Sequence, residues 1–283
     1  MRRSHALASG VGLAALVASG PAHANPVNAE KMRGDADEPG WMASLDANFA
    51  LARGNVNRLD LGYGGLLQYQ TMFPAGVGFR GKPPPPGADS FFKNRYVLLT
   101  DGAFTRVSGN DVINRGFAHA RYTRMFIPRL GLDVFVQEQF NEFTRLRARI
   151  VGGGGARVDM VHRKVTQSWL GSGYMAEYEL NDTVAGDPHP ARVVNHRWTS
   201  YAVLQIELLA ETLVFRNTAY AQPRLDDFTD VRVLENAQIE ARLADGAFAF
   251  GIDFGVQFDS RPPQEVVRTD LSLGSYLRLR VNR

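Results

Sequence analysis

A hydrolase built on one face of a β-strand needs a histidine and a serine two residues apart. Alternate residues share a face there, and the imidazole must reach the hydroxyl. The sequence offers His119, His162, His189 and His196, followed two positions on by Arg121, Lys164, Ala191 and Trp198. None of the four makes that pair. His189 and His196 lie near Asp182 and Asp187, a mixture that can hold a divalent ion. Their spacing matches no ligand motif, and Pro188 and Pro190 read as stiffeners of a loop. The glycine run 152–155 in RIVGGGGARV would cradle a dinucleotide only as G-x-G-x-x-G opening a helix. Position 157 is arginine and no helical period follows, so the run reads as a glycine-rich strand open to close approach. The expectation is no catalytic residue, no metal and no cofactor: a protein that is not an enzyme.

The charges carry more. Arg58, Arg121, Arg147, Arg149, Arg157, Arg278 and Arg280 fall on one set of alternate positions within extended stretches. Asp46, Asp60, Asp133 and Asp253 fall on the same set, as do Arg216, Arg242, Asp101, Asp159, Glu207, Glu240 and Asp270. Opposite charges on neighbouring strands come within cross-strand reach, here Arg58 with Asp46 or Asp60, and Asp133 between the strands of Arg121 and Arg147. A row of this kind lines either a narrow hydrophilic passage with little net ion preference or a lumen shut by salt bridges.

The elements that must hold these rows are strands. In the stretch DANFALARGNVNRLDLGYGG, Leu45, Ala47, Phe49 and Leu51 alternate with polar residues, and so do Leu59, Leu61, Tyr63, Leu67 and Tyr69. Gly54-Asn55 between them suits a tight hairpin turn. The pattern recurs in twelve predicted strands, near 41–53, 57–71, 93–107, 112–125, 130–142, 146–160, 164–179, 196–209, 212–222, 231–243, 247–258 and 268–281. Most exceed the five or six residues typical of soluble strands. The connections alternate between short turns and longer loops, as in membrane barrels. The segment 72–92, with Pro83–Pro86, is the exception: it is long and falls on the side of the short turns. Large apolar residues on one face and small or charged ones on the other suit lipid outside and a polar lumen inside. Aromatic residues near strand ends, among them Trp41, Tyr96, Phe126, Trp169, Trp198, Phe215 and Tyr220, suit interfacial girdles.

The N-terminus has the form of a secretory signal: Arg2-Arg3, a short apolar stretch, and Ala22-His23-Ala24, predicting cleavage after Ala24. Residues 25–40 are polar and aperiodic and read as a disordered lead-in, with the barrel spanning 41–283. The chain has no cysteine, so disulfides cannot staple the fold. Its net charge of +3 includes the two arginines of the leader, and no basic stripe marks a nucleic-acid surface.

The stretch GWMASLDANFALARGNVNRLDLGYGG resembles the opening of the salt-induced outer membrane protein type, domain of unknown function 481. The likeness continues through NRYVLLTDGAFTRVSGNDVINRGFAHARYTRMFIPRLGLDVFVQEQFNEFTRLRARIVGGGGARV, where strands and turns follow in the family order. The resemblance implies an outer-membrane barrel without an established biochemical activity, in contact with outer-membrane lipid and inserted by the barrel-assembly machinery. The apolar residues Leu277, Leu279 and Val281 suit that machinery, although Asn282-Arg283 stand where such barrels often carry an aromatic residue. The expected function is an envelope-stress or structural role, or a passive small-solute pore with a mixed-charge lumen. The alternatives are a lipid-modifying, phospholipase-like enzyme and a soluble periplasmic β-sandwich binding protein.

Overall fold

The computed structural model describes residues 28–30, 39–53, 57–74, 77, 91–163, 165–183, 190–209, 212–243, 247–262 and 266–282. The signal sequence, Gly54-Asn55 and Pro83–Pro86 lie outside the described residues. Twelve strands follow in order: β1 (Gly40–Ala52), β2 (Arg58–Met72), β3 (Phe92–Val107), β4 (Asn110–Ile127), β5 (Leu130–Asn141) and β6 (Leu146–His162), then β7 (Thr166–Asn181), β8 (Arg192–Leu208), β9 (Leu213–Pro223), β10 (Val231–Leu243), β11 (Phe248–Asp259) and β12 (Thr269–Asn282). Each pairs antiparallel with the next, and β12 returns to β1, giving a closed barrel.

The period-2 pattern explains the wall. Leu45, Phe49 and Leu51 on β1, Phe248, Phe250, Ile252 and Phe254 on β11, and Leu271, Leu273 and Leu277 on β12 are exposed. The buried rows are Gln68 and Gln70, Gln137 and Gln139, Arg149, Arg157, Glu177 and Glu179. A soluble sandwich buries its apolar rows and exposes its polar ones. This molecule does the reverse, as an outer-membrane β-barrel must, since closing the sheet joins its first strand to its last and lets the apolar rows face lipid. The soluble-sandwich alternative is not favoured, since the sheet is a single closed barrel.

One rim carries Gly40 and Asn282 together with the short turns after β4, β6, β8 and β10 and, as the sequence indicated, the long connection from β2 to β3; the other carries the longer loops after β7, β9 and β11. Near the terminal rim Trp41, Tyr69, Tyr96 and Tyr122 form a continuous outward aromatic row, with successive ring centroids 4.8, 6.2 and 4.8 Å apart. This is an interfacial girdle. Trp169 and Tyr220, expected in a girdle, are instead buried, and the Trp169 ring lies against the Arg157 guanidinium at 4.9 Å. At the loop rim, Ser108 and Gly109 both take positive φ (50° and 88°), the tight turn that matches the twist of a hairpin.

The closure between β1 and β12 is short. Pairing runs from Met42–Asn282 to Ala47–Leu277. Beyond that point, among the described residues, Asn48–Ala52 stays paired to β2 and Thr269–Tyr276 to β11, with no ladder between them.

Candidate functional site

The inward rows meet in three ionic groups. Nearest the loop rim, Glu177 on β7 faces three arginines: Arg149 Nε donates to it at 2.6 Å, Arg232 Nη1 at 3.0 Å and Arg197 Nε at 3.1 Å. Asn195 adds a hydrogen bond at 2.9 Å. Glu179 takes Arg232 at 2.6 Å, Asp259 takes Arg232 at 2.9 Å, and Asp230 takes Arg197 at 3.0 Å. All these side chains are buried. Charges so far from water persist only when paired and hydrogen-bonded, and here each long side chain reaches a partner on another strand. The network fills the lumen beside β6–β10.

The second group lies toward the terminal rim. Thr123 donates to Asp133 at 2.6 Å, Tyr201 also donates to Asp133, and Arg157 pairs with Asp159 at 3.0 Å. Tyr201 fits because it lies over Gly171, where any β-carbon would collide with its ring. The third group spans the closure: Arg278 grips Asp46 with two bonds at 2.8 and 2.9 Å and reaches Glu240 at 2.5 Å, while Arg280 reaches Glu240 at 2.8 Å. Arg278 thus ties β12 to β1 and to β10.

These placements differ from the expected pairings in instructive ways. Arg58 does bond Asp60, at 2.6 Å, whereas Asp46 goes to Arg278. Arg121 pairs with Glu30, and Asp133 with hydroxyl groups. Arg147, expected inward beside Arg149, is exposed. A bulge between Leu146 and Ala148 inserts one residue into β6, and an odd insertion reverses the facing of what precedes it. Glu177, Glu179, Arg197 and Arg232 were missed, although the alternation in Ala176-Glu177-Tyr178-Glu179-Leu180 carries the same inward signal. Glu30 was hidden by its setting in a lead-in read as disordered. Asn28–Glu30 of that lead-in are buried inside the barrel.

A family model described as protein of unknown function, DUF481, matches residues 91–277, from the start of β3 to the middle of β12. The chain belongs to the DUF481 family. No curated protein matches it. Solved structures similar to this DUF481 barrel include the NanC porin, at 9% identity and a TM-score of 0.42 over 86% of this chain and 99% of that one. The KdgM porin is similar at 9% identity and a TM-score of 0.36, over 84% and 97%. The translocator domain of the autotransporter NalP from Neisseria meningitidis is similar at 10% identity and a TM-score of 0.43, over 89% and 90%.

Two features of the DUF481 barrel remain. Opposite the filled side, a cavity of about 160 Å³ lies along β1–β4 and β11–β12. Asp46, Asp60, Asp101, Asp253 and Asp270 line it with Arg115, and the small residues Gly62, Gly64, Ala103, Ser272 and Gly274 leave it room. On the outer wall, the Tyr174 hydroxyl and His196 Nδ1 share a hydrogen bond of 2.5 Å. Ser172 and Ser200 sit 3.0 Å apart, and Trp198 Nε1 donates to Ser172 at 2.6 Å. The partner of this outward histidine is a phenol, and the serines are engaged with one another and with the indole. That arrangement gives no activated nucleophile.

Proposed function

We propose that the protein is a narrow passive pore for small solutes in the outer membrane, with mixed charge overall and an acidic open side. The observation that carries this reading is the cavity beside β1–β4 and β11–β12. It holds several waters and is lined by five aspartates against one arginine. The ionic network beside β6–β10 narrows the rest of the lumen, so the passage suits hydrated ions and small polar solutes rather than large ones. An envelope-stress setting agrees with the salt-induced resemblance. The protein is exported with cleavage after Ala24, delivered to the barrel-assembly machinery and inserted with its loop rim outward. Its role is non-enzymatic, in keeping with an outer-wall histidine bonded to a tyrosine.

Envelope fractionation followed by planar-bilayer recording tests this reading. The expected result is recovery with detergent-solubilised outer membrane, a mature N-terminus at Asn25, and small conductance steps with cation preference. Recovery with the soluble periplasm, or strict anion selectivity, would overturn it.

A further inference from the structure

Residues Asn28–Glu30 of the lead-in lie across the lumen. Asn28 Nδ2 donates to Asn236 Oδ1 on β10 at 2.8 Å. The Glu30 carboxylate pairs with Arg121 on β4, and Arg216 on β9 donates to the Glu30 carbonyl at 3.3 Å. In a ring of twelve strands β4 and β10 stand diametrically opposite. Ala29 between them packs with Leu66 and Leu99 on the open side and lines a cavity of about 40 Å³ on the filled side. The tripeptide is therefore a crossbar. It is internally braced, since the Glu30 amide donates to Asn28 Oδ1 at 3.0 Å. Eight residues separate Glu30 from Pro39 at the terminal rim, a reach of up to about 30 Å, so the crossbar can leave the lumen without disturbing β1.

We propose that Asn28–Glu30 is a tethered plug. Its carboxylate occupies an anion site on the lumen wall at Arg121, while Arg216 holds its backbone carbonyl, and its departure widens the pore. The same site would accept a carboxylate-bearing solute, which competes with Glu30 for Arg121 and so favours the open state. The buried setting strengthens this: charge-assisted bonds to a carboxylate are the strong ones, and leaving Arg121 without an anion inside the barrel is costly. An acidic ligand therefore displaces the plug more readily than a neutral one. This inference rests on the pore reading above.

The chain has no cysteine, so Ala29→Cys provides a single thiol. The full barrel carrying A29C, reconstituted in lipid vesicles, is treated with a membrane-impermeant maleimide, and its folding is checked by heat-modifiable gel migration. Protection is expected in that barrel. Labelling about tenfold faster or more is expected with A29C/R121Q, or with A29C/E30Q if the first fails to fold, the factor for losing one charge-assisted bond. In planar bilayers, deletion of residues 25–30 should raise conductance several-fold. The free peptide Asn-Ala-Glu should then block the deleted barrel, and Asn-Ala-Gln should not at equal concentration. Fast labelling of A29C with Arg121 and Glu30 intact would overturn the plug, as would a deletion barrel that conducts no better than the full one. Protection of A29C with silence from both barrels would overturn the pore reading, and the gating role with it.

Discussion

The two sides of the lumen obey one rule and end differently. Every strand turns alternate polar residues inward, yet the space beside β6–β10 is nearly filled, with about 40 Å³ left, and the space beside β1–β4 and β11–β12 is open. The difference is side-chain length. On the filled side the inward acids Glu177 and Glu179 face the arginines 149, 197 and 232, and long chains meet across the barrel. On the open side most inward acids are aspartates, spaced by glycine, alanine and serine. They bond near neighbours, as Asp60 does with Arg58 and Thr105, and leave the space beside them open. Eight strands are filled by side chains whatever their length and sixteen leave a channel regardless, so at twelve the choice of residue decides.

The comparison breaks most readily at Glu177. Replacing it with alanine leaves three arginines around a vacated site and should cost about 3–5 kcal/mol. Asp253→Ala on the open side should stay within about 0.5 kcal/mol, as for an ordinary surface change. Urea unfolding in lipid vesicles measures both, and equal losses would abolish the distinction. A bulky residue sharpens it. Val151→Trp, buried on the filled side, should overpack at a cost of about 1–3 kcal/mol. Ala103→Trp, in the open cavity, should leave stability nearly unchanged and lower single-channel conductance several-fold. A smaller effect concerns selectivity. Asp101→Asn with Asp253→Asn should move the reversal potential in a salt gradient toward zero, whereas Glu179→Gln should not.

The smallest expected effect is at the loop rim. Thr229 donates its hydroxyl and its amide to Asp227 at 2.6 and 3.0 Å, and Arg261 adds a bond at 2.6 Å. These bonds, the Thr229 hydroxyl first, hold the Asp227 carboxyl below the usual carboxylate range. A depressed folded value means that the tether acts fully above the unfolded value of about 4 and is lost only as pH falls through the folded one. Hydrogen exchange of residues 224–230 should therefore be unaffected by this tether between pH 7 and pH 5 and quicken only in stronger acid. Quickening already at pH 5 would contradict the assignment.

The strands were legible because lipid and lumen impose opposite demands on alternate residues, and that contrast survives in Phe248–Phe258 and Leu271–Val281 without any partner being known. The pairings were less so. Cross-strand neighbours follow from register, but the bulge that turns Arg147 outward arises from a local insertion that alternation cannot show. Arg278 binds Asp46 because the first and last strands meet, a fact of closure rather than of local sequence. Trp169 has the composition of a girdle residue and finds a buried cation instead. The crossbar was illegible for a deeper reason. Asn28–Glu30 has no period and little apolar mass, so nothing local orders it; the order comes from groups on β4, β9 and β10 far along the chain.

The incomplete closure between β1 and β12 has a consequence for the membrane itself. Hydrocarbon does not tolerate an open sheet edge, because peptide groups without partners keep their claim on water. Above Ala47 and Leu277, among the described residues, two strand edges run side by side without a ladder. The cavity there is lined both by Asp270 and Ser272 from within and by Leu271 and Leu273 from without. Water from the lumen is the solvent that can satisfy those edges. Acyl chains packed flat against phenylalanine and leucine elsewhere on the wall must meet a hydrated notch at this one meridian. The bilayer should therefore thin beside the seam, so that the barrel presents the membrane with an oriented notch rather than a uniform cylinder.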